Sequence, residues 1–348
     1  MSNPTPSSRS GAMAGSQDFV LPSAEELAAS AAVVSVPLRM RFRGITEREA
    51  LLIRGPAGWG EFAPFLEYDD AESSRWLSAA VEASWHGWPV PLRQSIPVNA
   101  TVPAVPAHQV PAVLARFPGA RTAKVKVAER GQRLSDDVNR VAAVREVLGD
   151  DAGVRVDANG GWNMDQAIEA LVALAPYRLE YAEQPVMPVD ELARVRRELV
   201  RRGIDLPIAA DESIRKADDP LRVAELEAAD IVIIKVAPLG GVRNALRIAE
   251  ECGLPAVVSS ALDTSVGIRA GIALAAALPH LDYACGLGTV SLLDGDVADP
   301  SLVVRNGALP VGELGVKEDL LERFAAAPDR QRWWLERLRR CHAVLAAG

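Results

Sequence analysis

Five successive apolar runs in this chain end in charge: Lys124-Val125-Lys126, Val156-Asp157-Ala158-Asn159, Glu183-Gln184-Pro185, Asp211-Glu212 and Ile234-Lys235. From Asp157, the steps to Glu183, Asp211, Lys235 and Ser259 are 26, 28, 24 and 24 residues. Each step is the length of one strand-helix unit, so each residue holds the equivalent place on its own strand. One Asp or Glu in such a place could simply cap the next helix. A set in register must converge on one spot. Asp157, Glu183 and Asp211 would repel one another there, and burying that charge is costly without a cation. Oxygen ligation without His or Cys suits a hard ion, Mg²⁺ with Mn²⁺ as a substitute, and leaves positions open for the carboxylate of a small-molecule substrate.

Lys126 and Lys235 end the runs on either side of the carboxylates, which places a substrate between two amines. A lysine near other cations or in a dry site has a lowered pKa and can act as a base. The metal makes such a base adequate, because it binds the substrate carboxylate and stabilises the enediolate left when the α-proton departs. Lys124 shares the face of Lys126 and is expected to help keep it deprotonated. Asn159 is expected to orient a metal ligand or a water, and Glu212 to support the site by pairing with a lysine. His86, His108 and His342 are assigned no chemistry.

The elements that must position these groups follow from periodicity. From Ile96 onward, short apolar runs alternate with amphipathic stretches, the pattern of βα units and a parallel sheet. Eight strands are expected: Ile96–Thr101, Ala123–Val127, Val154–Asp157, Leu179–Glu183, Pro207–Asp211, Ile231–Lys235, Ala256–Ser260 and Tyr283–Leu287. The helices between them are expected at Asp136–Leu148, Met164–Leu174, Val189–Arg202, Pro220–Ala228, Val242–Cys252 and Ser265–Leu278. Eight such units close into an α/β fold, a (β/α) TIM-like barrel, whose catalytic groups sit at the C-terminal strand ends. An open doubly wound sheet would carry a glycine-rich loop after its first strand, and Asn99-Ala100-Thr101-Val102-Pro103 is not one. Before the barrel, Ala31–Phe42 and Glu49–Arg54 read as strands, Gly58–Glu61 as a turn and Asp70–His86 as a helix. The expected organisation is a disordered tail over 1–17, an α+β capping domain over 18–95, the barrel over 96–288, and a C-terminal segment over 289–348. The helix Pro328–Ala347 in that last segment is expected to pack back on the capping domain.

With 46 acidic against 38 basic residues the formal charge is −8, which disfavours a nucleic-acid partner. The basic segment Arg194–Arg202 is spaced as the solvated face of a helix. No apolar stretch is long enough for a membrane span. Three scattered cysteines suggest neither a disulfide framework nor a zinc site, so a cytoplasmic location is expected.

The motifs KVKV (124–127), DANGGW (157–162), EQP (183–185), ADES (210–213) and IIKVAPLGG (233–241) resemble the muconate-lactonising subgroup of the enolase superfamily. The likeness spans Ile96 to Gly288. It extends to GWGEFAPF (58–65), which resembles the segment this family places in its α+β domain over the barrel mouth. The resemblance implies proton abstraction beside a metal-bound carboxylate, with Asp157, Glu183 and Asp211 as ligands and Lys126 and Lys235 as acid and base. A mandelate-racemase-like member would have a histidine near the end of strand seven; this chain has VSSALD (258–263), and His280 comes after the next helix.

Within the subgroup, VNATVPA (98–104), GWGEFAPFLEYDD (58–70) and SSALDTSVG (259–267) resemble the branch serving menaquinone biosynthesis. That branch carries out the syn dehydration of 2-succinyl-6-hydroxy-2,4-cyclohexadiene-1-carboxylate. Lys126 would then take the α-proton and assist departure of the hydroxyl on the same face, while Lys235 stabilises the enediolate. Branches that racemise N-succinylamino acids, epimerise dipeptides or cycloisomerise muconate share the same lysines and carboxylates. Ser259, Ser260 and Leu262 are expected to receive the remote succinyl carboxylate on backbone N–H groups, with Met40, Phe42 and Arg43 in a lid. A non-catalytic barrel that only binds its ligand would be expected to lack one of the five charged strand ends.

Overall fold

The computed structural model describes residues 20–42, 44–215 and 220–347; the expected tail and Arg43 lie outside the described residues. Helix α1 (Ala24–Ala29) opens on a capping box between Ser23 and Glu26. An antiparallel meander follows, β1 (Ala31–Phe42), β2 (Ile45–Gly55) and β3 (Gly58–Phe62). The third strand corrects the expected turn at Gly58–Glu61: these residues pair with β2, Leu52 opposite Glu61, and the turn lies at Pro56-Ala57. Gly60 is required by packing rather than by turning. A Cβ there would stand 2.0 Å from the Ala80 carbonyl oxygen, so helix α2 (Asp70–Val81) can lie against β3 only over a glycine. Asp69 caps α2 by accepting the Glu72 N–H, and the helix runs on into a π turn at Glu82–His86.

The expected strand Ile96–Thr101 is two pieces, β4 (Ser95–Pro97) and β5 (Ala100–Val102), because each half pairs with a different partner. The βα units then run α3 (Val110–Leu114), β6 (Thr122–Lys126), α4 (Leu134–Leu148), β7 (Gly153–Asp157), α5 (Met164–Leu174), β8 (Tyr181–Glu183) and α6 (Val189–Arg201). They continue through β9 (Ile208–Ala210), α7 (Glu212–Arg215), α8 (Arg222–Glu225), β10 (Ile231–Ile234), α9 (Val242–Cys252), β11 (Ala256–Val258) and α10 (Ser265–Ala277). Last come β12 (Ala308–Pro310), which pairs with β4, then α11 (Glu318–Arg323) and α12 (Pro328–Ala347).

Strands β5 to β11 form one parallel sheet in chain order. Its two edges meet through Tyr283–Leu287, which is not the regular eighth strand expected. It supplies one parallel bridge to each edge, Val98 to Cys285 and Ser259 to Gly286. The crowding is visible at Gly286, where a Cβ would fall 2.6 Å from the Ser259 hydroxyl. The sheet is thereby curled into the (β/α) barrel. Tyr181, Ala209, Ile231, Ile233 and Val257 pack together, and the Arg155 guanidinium lies 4.7 Å from the centre of the Tyr181 ring.

Helix α12 completes the capping domain. Trp334, Leu338 and Cys341 join Leu27, Leu51, Ile53, Phe62, Trp76 and Leu77 in one apolar cluster, each large side chain contributing about 1.5–3 kcal/mol. Arg337, buried among them, donates to the carbonyl oxygens of Phe65 and Tyr68. Among the described residues, no helix is long and apolar enough to cross a membrane.

Candidate active site

Side chains alternate along a strand, so residues two apart share the inward face. Lys126, Asp157 and Glu183 end β6, β7 and β8 as direct register partners. Asp211 and Lys235 are the first residues past β9 and β10. Their convergence follows from that register.

The carboxylates meet ammonium groups. Lys126 Nζ donates to Asp157 Oδ2 and, at 2.7 Å, to Asn159 Oδ1. Lys124 Nζ spans both oxygens of Glu183 at 2.9 and 3.0 Å and stands 3.5 Å from Asp157. Lys235 Nζ donates to Asp211. Burial works against the charge of Asp157, but Lys126 and Lys124 outweigh it and hold this carboxyl well below the usual range. Burial is likewise outweighed at Asp211, by Lys235 and Arg215. Glu183 differs, because the ammonium it bonds, Lys124, also serves Asp157. Burial, then Asp157 and Asp211, push its carboxyl up to about 8. Lys124 is raised because Glu183 and Asp157 outweigh its burial, whereas Lys235 is lowered, by burial first and then by Arg215.

One cavity gathers most of these groups. Lys124, Lys126, Asp157, Asn159, Lys235, Ser259, Ser260 and Leu262 line it, joined by Phe42, Thr101, Ala261, Gly286 and Thr289. Glu183 and Asp211 are fully buried behind that lining. Phe42 places its ring 5.8 Å from Lys126 Nζ.

Two expectations change. Glu212 begins α7 and is not a strand residue; its Oε1 accepts from Arg215 at 2.5 Å and from Asn159 at 3.2 Å, so its ionic partner is an arginine and not a lysine. The N–H groups of Ser259 and Ser260 are spent on the barrel, donating to Ile234 and Gly286 carbonyl oxygens, and so do not receive a substrate carboxylate. The Ser260 hydroxyl lies 2.9 Å from that of Thr289.

Two positioning residues went unnoticed in the sequence. Gln184, in the left-handed region at φ 39°, accepts the Asp211 and Ser213 N–H groups and donates to the Val186 carbonyl, tying the end of β8 to that of β9. Arg215 grips Asp211 at 3.1 Å, and its spacing, four residues on along one helical turn, was the available signal. Left-handed backbone at Ala128, Asn159, Gln184 and Leu262 recurs at the mouth, strain of about 1–3 kcal/mol each that surrounding bonds must hold.

This fold and site define an enolase-type barrel. The family described as enolase C-terminal domain-like matches residues 108–317, and that described as enolase N-terminal domain-like matches 33–84. In overall fold the chain is similar to muconate lactonizing enzyme from Pseudomonas putida, at TM-score 0.69 and 22% identity over 85% of this chain and 98% of that one. It is also similar to N-succinyl Arg/Lys racemase from Bacillus cereus, at TM-score 0.68 and 21% identity over 85% and 97%. Sequence relatives are nearer: o-succinylbenzoate synthase of Mycobacterium leprae is 56% identical over 94% of this chain and 95% of its own length. That of Thermobifida fusca is 56% identical over 84% and 91%. The chain belongs to the o-succinylbenzoate synthase family of the enolase superfamily.

Proposed function

We propose that this chain is a carbon-oxygen lyase that carries out the syn dehydration of 2-succinyl-6-hydroxy-2,4-cyclohexadiene-1-carboxylate to o-succinylbenzoate. The observation carrying this reading is that Lys126 and Lys235 open on one cavity beside the Asp157 carboxylate. The 56% identity to a protein named for that product supports the choice of substrate.

Asp157, Glu183 and Asp211 are the residues that would hold a divalent ion, Mg²⁺ with Mn²⁺ as a substitute. The donor set fits: it is all oxygen, it comes from successive strand ends, and it is crowded enough to displace the Glu183 carboxyl upward. Among the described residues no three His, Cys, Asp or Glu side chains are gathered to hold an ion, and Asp157, Glu183 and Asp211 each bond a lysine ammonium. When bound, the ion supplies positive charge beside the substrate carboxylate.

The protein's own groups do the rest. Lys126, held by Asn159, takes the α-proton and returns a proton to the departing hydroxyl on the same face. Lys235 faces the negative charge that develops on the substrate. Lys124 stays charged and supports the floor of the site, and Glu212 supports Asn159. Ser259, Ser260 and Leu262 bound the end of the cavity that would take the succinyl arm. Cysteines spaced unlike a disulfide framework support a cytoplasmic location.

Racemisation of N-succinylamino acids would use the same pair, Lys126 on one face and Lys235 on the other. Incubation in D₂O with the cyclohexadiene substrate and, separately, with N-succinylamino acids distinguishes the two. Aromatic product from the first is expected; deuterium uptake and racemisation of the second without any aromatic product would overturn the dehydratase reading.

A further inference from the structure

The small domain reaches across to the barrel with two glutamates, each capping a helix that follows a mouth strand. Glu82, in the π turn after α2, accepts the Val242 and Arg243 N–H groups at the start of α9. Glu61, on β3, accepts the N–H groups of Thr264 and Gly267 and the Thr264 hydroxyl at the start of α10. The approach is close enough that a Cβ on Gly241 would fall 2.5 Å from Glu82 Oε2, and one on Gly267 3.0 Å from Glu61 Cδ. Contact with the small domain thus accounts for Gly241, while Gly267 is pressed both by Glu61 and, at 2.6 Å, by Asp263 Cβ of the turn itself.

Beside Glu61 stands Arg48 of β2, only 3% exposed. Its Nε donates to the Leu262 carbonyl at 3.0 Å, and its Nη2 donates to Ala63 O and lies 3.5 Å from Ala261 O and 4.0 Å from Asp263 Oδ1. Leu262 has φ 65°, a conformation a leucine keeps only when neighbours hold it. Inside the turn the Ala261 N–H donates to Asp263, which Arg48 also faces. The guanidinium fork therefore collects both carbonyls and the carboxylate of a turn whose other side lines the active-site cavity.

We propose that Arg48, with Glu61 beside it, is a positioning residue that holds the 259–263 turn in its substrate-facing shape, so that the small domain sets substrate affinity through the end of β11. The substrate-facing part rests on the assignment of Ser259, Ser260 and Leu262 above; the hold on the turn does not.

Hydrogen-deuterium exchange and steady-state kinetics on the full chain test both parts, with Arg48→Met and Arg48→Lys compared with Arg243→Ala, which loosens the contacts to Glu82 and the Gly87 carbonyl and leaves the 259–263 turn untouched. In Arg48→Met, amides of 260–268 exchange about tenfold faster, and KM rises about tenfold while kcat stays within about threefold. Arg48→Lys falls between it and the wild type, since one ammonium replaces part of the fork, and Arg243→Ala changes neither quantity. If Arg48→Met does not fold, the lysine variant carries the same comparison. Unaltered exchange over 260–268 in the folded variants overturns the proposal, as does a kcat loss at constant KM. A wild type inactive on the diene would sink the functional reading alone, because exchange still decides whether Arg48 holds the turn.

Discussion

The two sides of the barrel mouth are held by different means. From β6 to β9, the site's polar groups find partners on strands of the same sheet, Lys126 with Asp157 one strand over, Lys124 with Glu183 two strands over, and Gln184 with the backbone of Asp211. Around β11, the turn is held from the other domain, by Arg48 and Glu61, across sequence separations of 214 and 203 residues. Proton-transfer geometry is thus set by strand register, which cannot slip without disrupting the sheet. The substrate end depends on a docked surface and can be retuned by changing the small domain. Substitutions on the first side should act on kcat or on stability, and substitutions on the second on KM.

The largest effect is expected from metal removal. A chelator should abolish turnover and added Mg²⁺ restore it; turnover that persists would end the carboxylate-trio scheme. Next comes Lys126→Ala, which should lower kcat by about 10²–10⁴ with little change in KM. A KM change of that size with kcat intact would erase the contrast between the two sides. Arg215→Met leaves Asp211 and Glu212 buried without their guanidinium, a loss of about 3–5 kcal/mol in a urea titration. Arg243→Ala, at a side chain 48% exposed, should cost less than about 1 kcal/mol in the same titration.

The same contrast explains what could be read in advance. Elements with a clean period came out residue for residue: strand Ala31–Phe42 and helices Met164–Leu174, Val242–Cys252 and Pro328–Ala347. The carboxylates and lysines were legible because one-unit spacing projects equivalent positions onto one mouth. Strand β3 was misread because Gly60 serves contact with α2, which no local pattern reveals. The segment 283–287 lost its ladder where Gly286 presses on Ser259. Arg48 and Gln184 gave no local signal, since what they hold is decided by distant chain or by the backbone of a neighbouring strand end. The serine N–H groups looked available only because their barrel partners, Ile234 and Gly286, were unknown.

The pH dependence of stability is the effect that best isolates the small-domain side. Burial, and then the charge of Asp263, push the Glu61 carboxyl up to about 8, against the opposing pull of Thr264, Arg48 and the Gly267 N–H. Its ordinary value is 4.5. Between these two values the folded chain holds a proton that the unfolded chain has released, so stability falls as pH rises across the window and levels off above it. One such group contributes a slope of at most about 1.4 kcal/mol per pH unit. Glu61→Gln removes the titrating carboxyl while keeping an acceptor for α10, so its Tm should vary less than that of the wild type between about pH 5 and 8. Some slope should remain, because burial also raises Asp263. Parallel Tm curves for the two proteins would show that Glu61 is already ionised across the window, and that the joint between the domains is held by a permanent carboxylate.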